Sequence, residues 1–140
     1  MPKAAGLSQC DIIAFVPIVD VERAKAFYRD TLGLRLMMDE PPFALEFEAN
    51  GIMLRLVMLK KMPKDSYGSV LGWKVPQIAT IAKSLQKKGV HFERYSFLEQ
   101  DQLGIWTTPT GAKVAWFKDP DGNILSISQH PKPKRSSPRR

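Results

Sequence analysis

Apolar positions along this chain change spacing several times, and each change marks an element. Ile12-Ile13-Ala14-Phe15-Val16-Pro17-Ile18, bounded by Asp11 and Asp20, reads as a strand. Asp20 is suited to cap a helix, and Val21, Ala24, Phe27, Tyr28 and Leu32 then form one apolar stripe that Gly33 stops. Extended segments are expected at 34–38, 43–48 and 52–59. Phe43-Ala44-Leu45-Glu46-Phe47-Glu48 alternates with period two, the mark of a half-exposed strand. Asn50-Gly51 predicts a two-residue hairpin turn.

After a polar connector the pattern restarts. A strand is predicted at 70–75. Ile78, Ile81, Ala82 and Leu85 then stripe a helix ending at Gly89, a further strand is predicted at 90–95, and a long loop at 96–104. Residues 112–129 read as two strands joined by Asp119-Pro120-Asp121-Gly122-Asn123. Proline presets φ there, and Gly122 supplies the positive φ that re-enters the ladder. The first helix opens at Asp20 and the second at Gln77, an internal repeat of 57 residues. Each half reads strand-helix-strand-strand-strand, so the fold class is α+β with two tandem βαβββ modules. The expected organisation is a lead over 1–10, one domain over 11–131 with modules 11–60 and 69–131, and a basic, disordered tail over 132–140.

The net charge of +7 sharpens that division. Lys132, Lys134, Arg135, Arg139 and Arg140 supply five of the positive charges, leaving +2 on residues 1–131. The tail has no apolar residue to bury, and no aromatic or motif residue accompanies its charge. It reads as a solvated extension, and nucleic acid is not expected as a partner. Cys10 is the single cysteine, which excludes an intrachain disulfide framework and fits a reducing compartment. MPKAAGLSQC has no long apolar run, so no secretory leader is expected, and no segment approaches the about 20 apolar residues of a membrane span. A cytoplasmic location follows as an expectation.

Three stretches carry a resemblance: IVDVERAKAFYRDTLGL at 18–34, PQIATIAKSLQKKGVHFE at 76–93, and WFKDPDGNIL at 116–125. Over about residues 11–130 the chain resembles the vicinal oxygen chelate superfamily, which includes glyoxalase I, extradiol dioxygenases and bleomycin-resistance proteins. Within it, the chain looks most like small cytoplasmic proteins with endings similar to GIWTTPTGAKVAWFKDPDGN. The resemblance implies that each module curls a mixed sheet into half of an open cup, with the helices outside. Metalloenzyme members place His, Glu or Gln at four cup-facing positions. The matching residues here are Ile13, Arg55, Val70 and Ser126, none of which suits a divalent metal. Neither a metal nor any other cofactor is therefore expected.

In that register Ile13, Phe15, Met53, Arg55, Val70, Lys74, Ser126 and Ser128 would face the cup, with Trp106 as a lid. Such a mixture suits a small, partly apolar molecule bearing a carboxylate or phosphate. Arg55 has an alternative partner in Glu46 or Glu48 of the neighbouring strand. For Trp116 and Phe117, one ring must face the cup and the other the core, and the sequence does not choose. His91 and His130 lie away from the four positions and read as surface residues. The function expected is metal-free binding of a small molecule in the manner of the bleomycin-resistance proteins, as a homodimer. The alternatives are a lyase, isomerase or dioxygenase of the same superfamily, or an interaction module.

Overall fold

The computed structural model describes residues 6–40, 44–64 and 68–131. The basic tail at 132–140 and the first five residues of the lead lie outside them. A 3-10 turn, Leu7–Gln9, precedes the first strand.

The elements follow in the order β1 (Ile13–Ile18), α1 (Val21–Ala26), β2 (Arg35–Glu40), β3 (Ala44–Ala49), β4 (Ile52–Met58), β5 (Ser69–Lys74), α2 (Ile78–Lys87), β6 (Trp106–Thr107), β7 (Lys113–Lys118) and β8 (Ile124–Gln129). They make two four-stranded mixed sheets, ordered β1-β4-β3-β2 and β5-β8-β7-β6. The identical order is the structural form of the 57-residue repeat, and the arrangement is the tandem βαβββ fold. By contacts the chain forms two compact units, Met1–Leu71 with Asp119–Asn123, and Gly72–Lys118 with Ile124–Arg140.

In the first unit the local signals act as read. Asp20 caps α1, accepting from Arg23 N at 3.2 Å. The helix continues as a π turn over Phe27–Thr31, and Gly33 ends it at φ +78°. Asn50 and Gly51 both adopt positive φ, 51° and 87°, as the tight β3–β4 hairpin requires. β1 pairs parallel with β4, and β3 antiparallel with β4. Val16 and Ile18 of β1, Leu45 and Phe47 of β3, and Leu54 and Leu56 of β4 are buried together with Ala24 and Tyr28 of the helix. Alternate residues on the same strands are left on the opposite, open face.

The second unit departs from expectation once. Residues 90–95 form no strand; Phe92 makes a single bridge to Phe117. The short β6 takes the edge position instead. Gln100 is the physical reason. Its Oε1 accepts from Tyr95 N at 2.8 Å, and its Nε2 donates to the Glu93 and Gly104 carbonyls at 2.9 and 2.8 Å. One side chain thus occupies the backbone groups that a ladder would have used. Gly104 must be glycine here, since its φ is +91° and a Cβ would stand 3.0 Å from Phe92 Cβ.

The turn Asp119–Asn123 is bound into the first unit through an almost fully buried carboxylate. Asp119 accepts from the Tyr28 hydroxyl at 2.8 Å, from Asp121 N and Asn123 N at 2.9 Å each, and from Asn123 Nδ2 at 2.8 Å. Asn123 Nδ2 also donates to the Pro17 carbonyl at 2.7 Å, while Asp121 Oδ1 accepts from Val19 N and Asp20 N at 3.1 Å each. Pro17 is tolerated in β1 because β1 is an edge strand, and the turn covers the point where that strand leaves the sheet.

Burial first, and then the adjacent Asp119 charge and hydrogen bond, push the Tyr28 phenol far above its ordinary value. In the unfolded chain that phenol ionises from about pH 10, whereas in the fold it keeps its proton. The associated stability is therefore complete below pH 10 and is lost as pH rises beyond it. Tyr28→Phe is expected to cost about 1–2 kcal/mol at pH 7 and to flatten the alkaline decline. Urea titrations at pH 7 and pH 11 check both effects. Asp119→Ala, which strands four donors, is expected to cost on the order of 3 kcal/mol or more.

Candidate functional site

The open face of the first unit is built by the strand positions that skip the core. Ile13 and Phe15 of β1 and Met53 of β4 lie exposed there, with Val57 partly covered. Arg55 stands beside Phe15 on one side and Glu46 on the other, and its guanidinium donates to the Glu46 carboxylate. The pair is mostly withdrawn from solvent, the Glu46 side chain 13% exposed and that of Arg55 32%. The Arg55 charge is thus met within the sheet. Nearby, a cavity of about 360 Å³ is lined by Met37, Met38, Ile52 and Met53 together with Glu46 and Glu48. Glu48 accepts from Gly51 N, which fixes its carboxylate at the hairpin.

The open face of the second unit is aromatic. Phe117 is fully buried on the side of Ala115, Leu125 and Ile127, so its neighbour Trp116 turns to the open side. Trp106 stacks on Trp116 with ring centroids 6.2 Å apart and planes 28° from parallel. Tyr95 meets Trp116 edge-on at 5.5 Å and continues to Phe97 at 5.7 Å. Four rings thus form one ledge, and Phe97 at its end is 80% exposed. Burial, and next the Glu93 carboxylate, hold the Tyr95 phenol above its usual value, so it remains a neutral hydroxyl at ordinary pH.

Beside the ledge, Ser126 pairs with Trp116 and Ser128 with Val114 across the β7–β8 ladder. Gly72 of β5 faces Ser126 so closely that an added Cβ would lie 2.6 Å from Ser126 Oγ. Lys74 is exposed at the end of β5. Val70, 47% exposed, lies on the same strand.

Of the residues expected at a site, Ile13, Phe15, Met53 and Arg55 come together on the first unit's open face. Trp106, Ser126, Ser128 and Lys74 belong to the second unit. The ledge was legible only in part. The orientation of Trp116 depends on which ring the core takes, and Tyr95 joins through a loop that Gln100 shapes. One contact was missed. His130 Nε2 lies 2.9 Å from Ser128 Oγ. The signal was available in the strand period, since 126, 128 and 130 share one face.

The residues present do not fit a divalent metal. Ile13 and Val70 offer no donor atom, Arg55 is a fixed cation already paired with Glu46, and Ser126 is a neutral hydroxyl. Among the described residues no three His, Cys, Asp or Glu side chains are grouped so that they could hold a metal ion. Nor, among these residues, is any helix long and apolar enough to cross a membrane.

Comparison with known proteins comes to one family. The family model described as Glyoxalase/Bleomycin resistance protein/Dioxygenase superfamily matches residues 9–127. No curated protein matches the chain. Among solved structures, a glyoxalase/bleomycin resistance protein from Streptomyces sp. CB03234 is 29% identical, with 85% of this chain and 99% of that one covered at a TM-score of 0.62. TnmS3, an antibiotic binding protein from the same organism, is 27% identical, with 85% and 93% covered at 0.64. Lactoylglutathione lyase from Agrobacterium tumefaciens is similar in fold at 18% identity, with 86% and 93% covered and a TM-score of 0.67.

The Gly72–Ser126 approach gives a test of register. Gly72→Ala is expected to destabilise the protein by about 1–3 kcal/mol. Combining it with Ser126→Ala should recover part of that loss, because the colliding hydroxyl is gone. A double-mutant cycle by denaturant unfolding measures the coupling.

Proposed function

This chain belongs to the glyoxalase/bleomycin resistance protein/dioxygenase superfamily, and from that premise we propose that it binds a small, partly apolar molecule carrying an acid group, holding it with side chains alone. The observation that carries the reading is the Trp106–Trp116 stack on the open face of the second sheet. Buried rings serve cores, whereas Trp106 and Trp116 are only partly covered and lie beside the Ser126 and Ser128 hydroxyls. A flat, apolar ligand body resting on the stack gains area burial and about 0.5–1.5 kcal/mol per ring pair from stacking. The antibiotic-binding neighbour at 27% identity supports a binding role over a structural one.

The charge for the acid group comes from Lys74 rather than Arg55. Arg55 has its counter-ion in Glu46, while Lys74 makes no ion pair among the described residues. The donor chemistry at Ile13, Arg55, Val70 and Ser126 supports binding without a divalent metal. We place the protein in a reducing compartment such as the cytoplasm, in keeping with its single, exposed Cys10. We propose that it works as a homodimer, in which Ile12, Ile13 and Phe15, each at least 45% exposed, would be covered.

Tryptophan fluorescence with 2-naphthoate as probe tests the binding role. Saturable quenching is expected, and Trp106→Ala should weaken the probe by about 5- to 10-fold while leaving the thermal midpoint within a few degrees. Quenching that is unchanged in Trp106→Ala would remove the ledge from the binding site.

A further inference from the structure

The end of the second sheet holds a cluster that the ledge does not use. Ser128 Oγ and His130 Nε2 are hydrogen-bonded at 2.9 Å. His130 and Lys74 line one cavity of about 480 Å³, and none of its lining residues is acidic. Gln129 also borders it, but its Oε1 is committed to Ile78 N at 2.8 Å. The side-chain polar groups on the lining residues are therefore the Lys74 ammonium, the His130 imidazole and the Gln129 amide nitrogen, with the Ser128 hydroxyl on His130 Nε2.

We propose that Lys74, His130 and Ser128 form an oxyanion site that takes the carboxylate or phosphate group of the ligand whose flat body rests on the Trp106–Trp116 ledge. This rests on the ligand-binding reading above and gives the acid group its place. When the Ser128 hydroxyl donates to Nε2, the ring proton sits on Nδ1 and is free to donate to the anion. Lys74 supplies the compensating charge, and charge-assisted bonds of this kind are about twice as strong as neutral ones.

Geometry sets the ligand's size. Trp116 on β7, Ser126 on β8 and Gly72 on β5 lie in one row across the sheet. Two strand spacings separate the outer members, about 10 Å. Ser126 Oγ covers Gly72, where an added Cβ would lie 2.6 Å from it, so the ligand body passes over the Ser126 hydroxyl on its way from the ledge toward Lys74. Lys74 lies two residues beyond Gly72 on β5, so two fused rings cross most of the distance and an acid group at one end points toward it.

The test compares three probes on the full-length protein: 2-naphthoate, 2-naphthyl phosphate and the neutral 2-naphthamide. In the wild type the acids should bind about 10-fold more tightly than the amide. Lys74→Met and His130→Ala should each weaken the acids by about 5-fold or more and leave the amide unchanged. Both substituted positions border solvent, and circular dichroism confirms that the variants fold. The tighter of the two acids identifies the headgroup. If acids and amide bind alike, or if both variants keep full affinity for the acids, the oxyanion site is overturned while the ledge stands. If none of the three probes binds, the ledge falls and the oxyanion site with it.

Discussion

Side chains on successive strand residues point to opposite faces, and that period-two constraint decides most of what this protein is. Val16, Ile18, Leu54 and Leu56 are buried in the core, so Phe15, Met53 and Arg55 must stand on the other face. Leu125 and Ile127 enter the second core, so Ser126 and Ser128 cannot. A slip of one residue in either sheet would exchange core and open face together. The hydrophobic driving force for folding thus fixes the chemistry of the open faces as a by-product: what is too polar or too exposed for the core is what a ligand would meet.

A second, polar constraint acts at the turn Asp119–Asn123. Almost every buried polar group there is satisfied, and the Asp119 carboxylate alone takes four donors, one of them the Tyr28 hydroxyl from the first helical segment. The Asp-Pro-Asp-Gly-Asn sequence would serve as a turn anywhere. Here both carboxylates serve the structure, Asp119 through Tyr28 and Asp121 Oδ1 through the Val19 and Asp20 amides, while Asp121 Oδ2 is buried without a partner.

The tandem modules were legible because their signals are local: an Asp cap, a helical stripe ending in glycine, an Asn-Gly turn and clean alternation. The expected strand at 90–95 was not, because a single glutamine, Gln100, competes for its backbone from five residues away. The Arg55–Glu46 pair was foreseeable as one of two options, since strand neighbours are set by register. The His130–Ser128 contact follows from the same period but lies just past the strand end, where alternation is easily discounted. The choice between Trp116 and Phe117 needed the packed core, because both rings fit either face by composition.

Family membership by itself leaves the chemistry open, since one fold hosts many functions. What narrows it here is the contrast between the two open faces. On the first, Arg55 is matched by Glu46 and a further carboxylate, Glu48, stands nearby; on the second, Lys74 and His130 border a cavity without acids, beside an aromatic ledge. The most direct measurement is amide chemical-shift mapping of the labelled protein titrated with 2-naphthoate. The account predicts perturbations concentrated on Tyr95, Trp106, Val114, Trp116, Ser126 and Ser128. Shifts confined to the α2 side of the sheet or to the first unit, or no saturable shifts at all, would contradict it.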